Sequence, residues 1–223
     1  MKLVLRSALC AAAMLALHST AVAQHRVAIP VSGELQAVLA LPGDATRGAE
    51  VFKEECQGCH RSDASGNARK AIPRLSGQHA TVVLKQIVDI RSGSRINLPM
   101  KAFVDDPALS LQHFADIAVY LQSLPPAGMQ GQGPGTAVTS GQGLYERDCA
   151  ACHGAQAEGR ADLFYPRLVT QHYSYLLREI GLIRDGGRGN SNPAMVQLVK
   201  AYTPEQMQDV ADYLSRLPAP GQK

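Results

Sequence analysis

The chain has 223 residues, of which 45% are hydrophobic and 18% are charged, and its formal net charge is +3. This composition excludes an intrinsically disordered polyelectrolyte and an integral membrane protein, and the length suggests one or two domains. Aromatic residues make up only 5% of the chain and tryptophan is absent, so side chains supply few large rings for a core. We therefore expect a group other than side chains to help fill the cores.

Residues 1–23 have the layout of a secretory signal peptide. Lys2 and Arg6 precede an apolar stretch, and residues 21–23 offer small side chains for cleavage. An uncleaved anchor helix is the alternative, but the apolar stretch is shorter than the about 20 residues that cross a bilayer. Lipid modification of Cys10 is disfavoured because a bulky leucine precedes it and the apolar stretch continues beyond it.

Removal of this peptide predicts a periplasmic mature chain that begins near Gln24. Its formal charge falls from +3 to +1, because two basic residues and no acidic residue are lost. So small a charge gives no electrostatic case for nucleic acid or for an anionic membrane as a partner. We expect no nucleic-acid partner and no transmembrane segment in the mature chain, with peripheral membrane association left open.

An internal repeat with an offset of 93 residues organises the rest of the chain. Two Cys-x-x-Cys-His units, two Pro-Arg-Leu-x-x-Gln-His segments and two closing apolar segments superimpose at this offset. The offset becomes 95 only near Met100 and Met195. A duplicated domain follows, with these predicted parts: an N-terminal extension over 24–43, a first domain over 44–124, a Pro/Gly-rich linker over 125–139, a second domain over 140–218 and a tail over 219–223. The linker is expected to be extended, stiff at its prolines and loose at its glycines.

The hydrophobic spacing in both copies predicts helices and no persuasive strand, so the expected fold class is all-α. Helices are predicted over 46–55 and 141–148, and over 78–91, where Gly93 is the predicted C-terminal stop, with a counterpart in the second copy. The closing helices are expected to start at Ser110 and Thr203, both good N-cap residues, and Gln206 completes a capping-box pattern with Thr203. Each copy spans about 80 residues, a size that usually needs a metal, a disulfide or a cofactor for stability.

All cysteines of the predicted mature chain belong to the two Cys-x-x-Cys-His units. On a helical turn, positions i, i+3 and i+4 share one face, so both thiols and the imidazole can address one object. Two thiols can form thioethers with the vinyl groups of a haem, and the histidine can then bind the iron. The sequence predicts two covalently bound haem c groups, with Cys56, Cys59 and His60 at the first site and Cys149, Cys152 and His153 at the second.

Three alternatives use the same residue types. A thioredoxin-like redox pair normally accompanies a βαβ pattern, which the sequence lacks. A structural zinc site would need a fourth ligand at customary spacing. Disulfides are plausible in the periplasm, but they would not require a histidine in both copies.

The sixth iron ligand distinguishes an electron carrier from a catalyst, because a saturated iron cannot readily bind oxygen or peroxide. Met100 and Met195 recur in predicted loops, marked by Pro99 and Pro193, before the last helix of each copy and are the predicted ligands. Ordinary core packing is the alternative for a lone methionine. Other residues compete less well: His79 and His172 begin helices, Met129 lies in the linker, and Met207 lies on a helix face suited to core packing.

From residues 44 to 218 the chain resembles the dihaem class I cytochromes c of the cytochrome c4 family. The resemblance implies two tandem cytochrome c domains. It also implies that the carbonyls of Pro73 and Pro166 accept the N–H of the iron-ligating histidines. A further implied feature is a contact between the first and last helices of each domain, through a glycine and an aromatic residue. These pairs are Gly48 and Phe52 against Ile117 and Tyr120, and Gly141 and Tyr145 against Val210 and Tyr213.

Residues 24–43 depart from the family pattern, because they are longer than the expected lead. They are expected either to pack along a domain, to dock a partner enzyme or to form a poorly ordered terminus. The leading hypothesis for function is a soluble electron carrier between a quinol-oxidising complex or dehydrogenase and a terminal oxidase. The alternatives are a cytochrome subunit bound to a periplasmic dehydrogenase, with residues 24–43 as its docking element, and a dihaem peroxidase, which paired methionine ligands disfavour.

Overall fold

The structure is a computed structural model and describes residues 32–126 and 130–219. The predicted signal peptide and Met129 therefore lie outside the described residues. The helices before residue 127 are α1 (Gly33–Leu39), α2 (Ala45–Val51), α3 (Gln57–His60), α4 (Ala80–Arg91), α5 (Leu98–Val104) and α6 (Leu111–Ser123). Those after residue 129 are α7 (Val138–Leu144), α8 (Ala150–His153), α9 (Tyr173–Arg184), α10 (Pro193–Val199) and α11 (Pro204–Arg216).

Regular structure in the described ranges is helical, which confirms the predicted all-α class. Besides the α-helices there are two π-helical turns, Phe52–Cys56 and Tyr145–Cys149, and two 3₁₀ turns, Ala68–Lys70 and Ala161–Leu163. Extended pairing within these ranges is limited to two isolated β-bridges. No helix in them has the length and apolar character needed to cross a bilayer.

The closing helices begin where the capping residues predict. Ser110 precedes α6, and its side chain accepts a hydrogen bond from the His113 backbone N–H. Thr203 precedes α11 and forms a complete capping box: its Oγ1 accepts from the Gln206 N–H at 3.2 Å, and Gln206 Oε1 accepts from the Thr203 N–H at 3.0 Å. Both pairs satisfy N–H groups that the first helical turn leaves unpaired.

The first and last helices of each domain cross at a glycine, as the family resemblance implies. A Cβ atom on Gly48 would lie 2.1 Å from the Asp116 carbonyl oxygen, and one on Gly141 would lie 2.0 Å from that of Asp209. A side chain at either position would therefore separate the two helices. The predicted aromatic contacts lie beside these crossings, with ring centroids 5.6 Å apart for Phe52–Tyr120 and 5.7 Å apart for Tyr145–Tyr213.

The described part of the N-terminal extension packs along the first domain. Leu35 and Val38 of α1 are 1% and 0% exposed and belong to the core that α4 and α6 also form. Glu34 makes an ion pair with Arg91 at the end of α4, at 3.5 Å. Three expectations were given for residues 24–43, and residues 33–39 follow the one in which the extension packs along a domain.

The linker was expected to be loose at its glycines, and for its described part this is wrong. The backbone N–H groups of Gly131, Gly133 and Gly135 donate to His172 Nδ1, Ser215 Oγ and Asp212 Oδ2 at 3.0, 3.2 and 2.7 Å. A Cβ atom on Gly133 would lie 2.5 Å from an Asp212 carboxylate oxygen. The glycines therefore allow the backbone to approach the second domain closely instead of making it loose.

Candidate cofactor sites

Each Cys-x-x-Cys-His unit follows a π-helical turn. In the first copy the π turn runs over Phe52–Cys56 and leads directly into α3, and in the second it runs over Tyr145–Cys149 and leads into α8. π turns are uncommon and are often found at functional sites. Their recurrence at the same offset indicates that the two cysteine units are built in the same way.

The two histidines of these units are oriented by proline carbonyls. Nδ1 of His60 lies 3.2 Å from the Pro73 carbonyl oxygen, and Nδ1 of His153 lies 3.1 Å from that of Pro166. Because a carbonyl can only accept, the proton belongs on Nδ1, and Nε2 keeps its lone pair. Burial, opposed by these hydrogen bonds, lowers the pKa of both imidazoles, so they are neutral at neutral pH. This is the tautomer that an iron-ligating histidine requires.

A glycine closes the loop that returns each proline to its histidine. Gly66 has a φ of 76° and donates its N–H to the His60 carbonyl at 2.9 Å. A Cβ atom there would lie 2.4 Å from the Pro73 carbonyl oxygen, so a side chain would displace the acceptor. Gly159 repeats the arrangement, with a φ of 74° and an N–H bond to the His153 carbonyl at 2.7 Å.

Both cysteine units face the same cavity, which has a volume of about 630 Å³ and runs between the domains. Its wall includes every predicted iron or thioether residue: Cys56, Cys59, His60, Met100, Cys149, Cys152, His153 and Met195. Apolar side chains from both domains make up much of the rest, among them Ile87, Leu109, Phe114, Leu168, Ile180 and Val210. The structure thus brings both sets of predicted residues to a single apolar space.

Met100 and Met195 lie in short helices and not in loops, contrary to the sequence expectation. Asn97 caps α5 by accepting the Met100 N–H at 3.4 Å, and Asn192 caps α10 by accepting the Ala194 N–H at 2.9 Å. The prolines that suggested loops occupy the first turn of these helices, where proline is tolerated. Both methionines are half-buried and remain in the cavity wall.

The residues of this cavity fit a covalently bound haem better than a thiolate-bound metal. Burial raises the pKa of the Cys56 thiol to about 11 and that of Cys149 to about 12, with help from nearby acidic groups. A zinc site needs thiolates, whereas a thioether sulfur is neutral and suits an apolar wall. Arg167 Nε is buried in the same wall and has no hydrogen-bond partner among the described residues, so a cofactor carboxylate could supply the missing acceptor.

The two domains are joined by reciprocal hydrogen bonds between equivalent residues. Gln78 Oε1 accepts a hydrogen bond from the Arg167 backbone N–H at 2.9 Å, and Gln78 Nε2 donates one to the Arg167 carbonyl oxygen at 3.0 Å. The Gln171 side chain binds the Arg74 backbone with the same two distances. Each glutamine lies 93 positions from the other, as does each arginine. The interface therefore follows an approximate two-fold relation between the copies.

His79 and His172 take part in this interface. Nε2 of His79 lies 2.8 Å from the Glu158 carbonyl oxygen, and Nε2 of His172 lies 2.7 Å from that of Ser65. The recurrence of Gln-His ahead of a helix in both copies was visible in the sequence. The sequence analysis did not predict that these residues form domain contacts. A signal was present, because they recur in both copies although the cofactor does not need them. Met207 is 5% exposed in the second core, as predicted.

Comparison with known proteins places these sites in a family. The Cytochrome c family model matches residues 45–125 and 138–218. The chain therefore belongs to the cytochrome c family. It is 30% identical to the cytochrome c4 of Azotobacter vinelandii, over 69% of this chain and 79% of that one. It is also 30% identical to a protein of Stutzerimonas stutzeri named thiosulfate dehydrogenase electron acceptor, over 87% of this chain and 95% of that one.

Two solved structures are similar to most of this chain. Reduced cytochrome c4 from Pseudomonas stutzeri matches 79% of this chain and 100% of its own, with a TM-score of 0.70 and 27% identity. A thiosulfate dehydrogenase from Marichromatium purpuratum matches 78% of this chain and 40% of its own, with a TM-score of 0.69 and 25% identity.

These similarities confirm the predicted place among dihaem class I cytochromes c of the cytochrome c4 family. The chain carries two covalently bound haem c groups, one for each Cys-x-x-Cys-His unit, and transfers electrons between redox partners.

Proposed function

We propose that His60 and Met100 bind the first haem iron and that His153 and Met195 bind the second. Cys56, Cys59, Cys149 and Cys152 form the thioether bonds, and Pro73 and Pro166 orient the histidines. When bound, each haem supplies an iron that accepts one electron and later gives it up. The placement of all eight ligand and thioether residues in one cavity wall carries this proposal.

The protein residues contribute orientation, exclusion of water and a fixed distance between the sites. The hydrogen bonds from the histidines hold the imidazole rings, and the apolar wall keeps solvent away from the ring system. The Gln78 and Gln171 bonds hold the domains together, so that an electron can pass from one site to the other within the molecule. We infer that cleavage of residues 1–23 yields a mature electron carrier in the periplasm.

A quinol-oxidising complex or a dehydrogenase is the proposed donor, and a terminal oxidase is the proposed acceptor. The relative named as an electron acceptor of thiosulfate dehydrogenase supports a dehydrogenase donor. The first domain carries ten basic and nine acidic residues over 44–124, and the second eight and nine over 140–218. Because both are nearly neutral, brief encounters guided partly by apolar surface are expected.

A permanent subunit of a periplasmic dehydrogenase is the second candidate. The Marichromatium thiosulfate dehydrogenase favours it, because the matched region makes up only 40% of that longer chain. Residues 33–39, part of the docking element assumed for this candidate, are committed to the first domain through Leu35 and Val38. Purification from its source as a monomer supports the free carrier, whereas a stable complex with a dehydrogenase supports the subunit.

Replacement of either methionine tests the ligand assignment and the disfavoured peroxidase activity together. In Met100→Ala and Met195→Ala, we expect one of two haems to become high-spin and the sulfur-to-iron charge-transfer band to fall by about half. Met207→Ala is the matched control, since Met207 is a core methionine and should leave the band unchanged. An unaltered spectrum in both ligand variants would refute methionine ligation. Rapid peroxide turnover by the unmodified protein would favour a peroxidase.

A further inference from the structure

Four polar side chains, two of them buried and two partly buried, close a ring across the domain interface. Arg95 donates to Gln86 Oε1 and to Glu179 Oε2, both at 2.9 Å. Arg188 donates to the same two oxygens, at 2.9 and 2.8 Å. Gln86 and Arg95 come from the first domain, and Glu179 and Arg188 come from the second. We call these four residues the interface ring.

The interface ring obeys the two-fold relation of the domains except in charge. Arg188 lies 93 positions after Arg95, and Glu179 lies 93 positions after Gln86. The two guanidinium groups are therefore equivalent, and so are the side chains that they bridge. One of the bridged side chains is a neutral amide and the other is a carboxylate, so the ring has a formal charge of +1.

The charge difference between Gln86 and Glu179 has a large electrostatic effect because the ring is mostly shielded from water. The side chains of Arg95 and Glu179 are each 8% exposed, and that of Arg188 is 15% exposed. Charges in such surroundings interact over longer distances than charges in water. Arg178 adds a third cation at Glu179, with Nη2 2.7 Å from Oε1, and the neighbouring arginines hold the pKa of this carboxyl below its usual range despite burial. Glu179 is therefore ionised in the folded protein.

The ring members also line the cavity that holds both cofactor sites. Because the ring lies where the two domains meet, a charge in it acts on both cofactor sites. A negative charge stabilises the ferric state relative to the ferrous state, because the ferric haem carries one more positive charge. If the ring only joined the two domains, glutamine at both bridging positions would suffice, and the carboxylate at position 179 would not be needed.

We propose that the interface ring is a shared electrostatic site, in which the Glu179 carboxylate lowers the reduction potentials of both haems together. The inference rests on the proposed function, since it needs two redox-active haems. Glu179 acts as a positioning and tuning residue: its carboxylate hydrogen-bonds to arginine side chains and holds the two guanidinium groups that span the interface.

Exchanging the two bridged side chains tests the proposal by spectroelectrochemical titration of the haem-loaded protein. Gln86→Glu places a second carboxylate between the same arginines and should move both midpoint potentials to more negative values. Glu179→Gln should move both to more positive values. The double variant, with Glu at 86 and Gln at 179, keeps the total charge and should return both potentials close to those of the unmodified protein. Asp185→Asn, which removes an exposed carboxylate near the end of α9, is the matched control and should shift neither.

The outcomes separate tuning from structure. Removing one member of a buried ion pair leaves an uncompensated buried charge, so Glu179→Gln is the variant at risk of not folding. Gln86→Glu carries the test in that case, because its new carboxylate faces two guanidinium groups. Altered melting temperatures with unchanged potentials, or a shift confined to one haem, would overturn the proposal. Absence of two reversible couples in the unmodified protein would overturn the proposed function and this inference with it.

Discussion

Replacing His60 by alanine is expected to remove the first haem and to unfold the first domain. His60 provides the predicted iron ligand and lines the cavity, and its Nδ1 bond to Pro73 fixes the returning loop. Without the cofactor, the wall around Phe114 and Leu109 has no large apolar group to pack against. Loss of a buried ring of even aromatic size costs about 3–5 kcal/mol, a large part of the stability of a small domain.

Haem content per chain and a thermal melt measure this effect. We expect half of the haem of the unmodified protein and an early unfolding transition for one domain. His153→Ala should produce the same loss in the second domain, which shows whether the two copies respond alike. His113→Ala, which changes a helix-capping histidine of α6, is the control and should retain both haems. An unchanged absorption spectrum and melting curve in His60→Ala would contradict a cofactor-dependent domain.

Replacing Gly141 by alanine is expected to weaken the second domain by overpacking. The added Cβ would lie 2.0 Å from the Asp209 carbonyl oxygen and 2.9 Å from the Tyr213 Cβ, so α7 and α11 would have to separate. Overpacking of this kind costs about 1–3 kcal/mol and occasionally more. Because α7 leads through the π turn to Cys149, the displacement would also reach the thioether site.

Gly143 provides a matched control within the same helix. A Cβ atom there would meet nothing within 4 Å. Gly143→Ala should therefore be neutral, or should stabilise α7 by about 0.5–1 kcal/mol through its higher helix propensity. Chemical denaturation of both variants measures the difference. Equal free energies of unfolding for Gly141→Ala and Gly143→Ala would contradict the close crossing of α7 and α11.

Features set by short-range signals were predictable from the sequence. The capping box at Thr203 and the stop at Gly93, whose φ is 79°, depend on residues within a few positions of each other. The glycine–aromatic crossings and the proline acceptors followed from the family resemblance. The cysteine units were clear because their spacing has a chemical requirement.

Features that depend on distant contacts were missed or wrong. One short-range signal was also misleading: the prolines near Met100 and Met195 suggested loops, whereas Asn97 and Asn192 cap short helices there. The linker glycines suggested looseness, because the acceptors that hold them, His172 just before α9 and Asp212 and Ser215 in α11, lie about 40 to 80 residues away in sequence. The interface ring could not be derived, since its members become neighbours only when the two domains meet.

A redox titration of the purified protein, followed by absorption spectroscopy, tests the central claim most directly. The claim is that each domain holds one covalently attached haem with histidine and methionine ligands and that both haems carry electrons. The account predicts two haems per chain, low-spin spectra in both oxidation states and two reversible one-electron couples. A single haem per chain, or a high-spin spectrum with no reversible couple at one site, would contradict it.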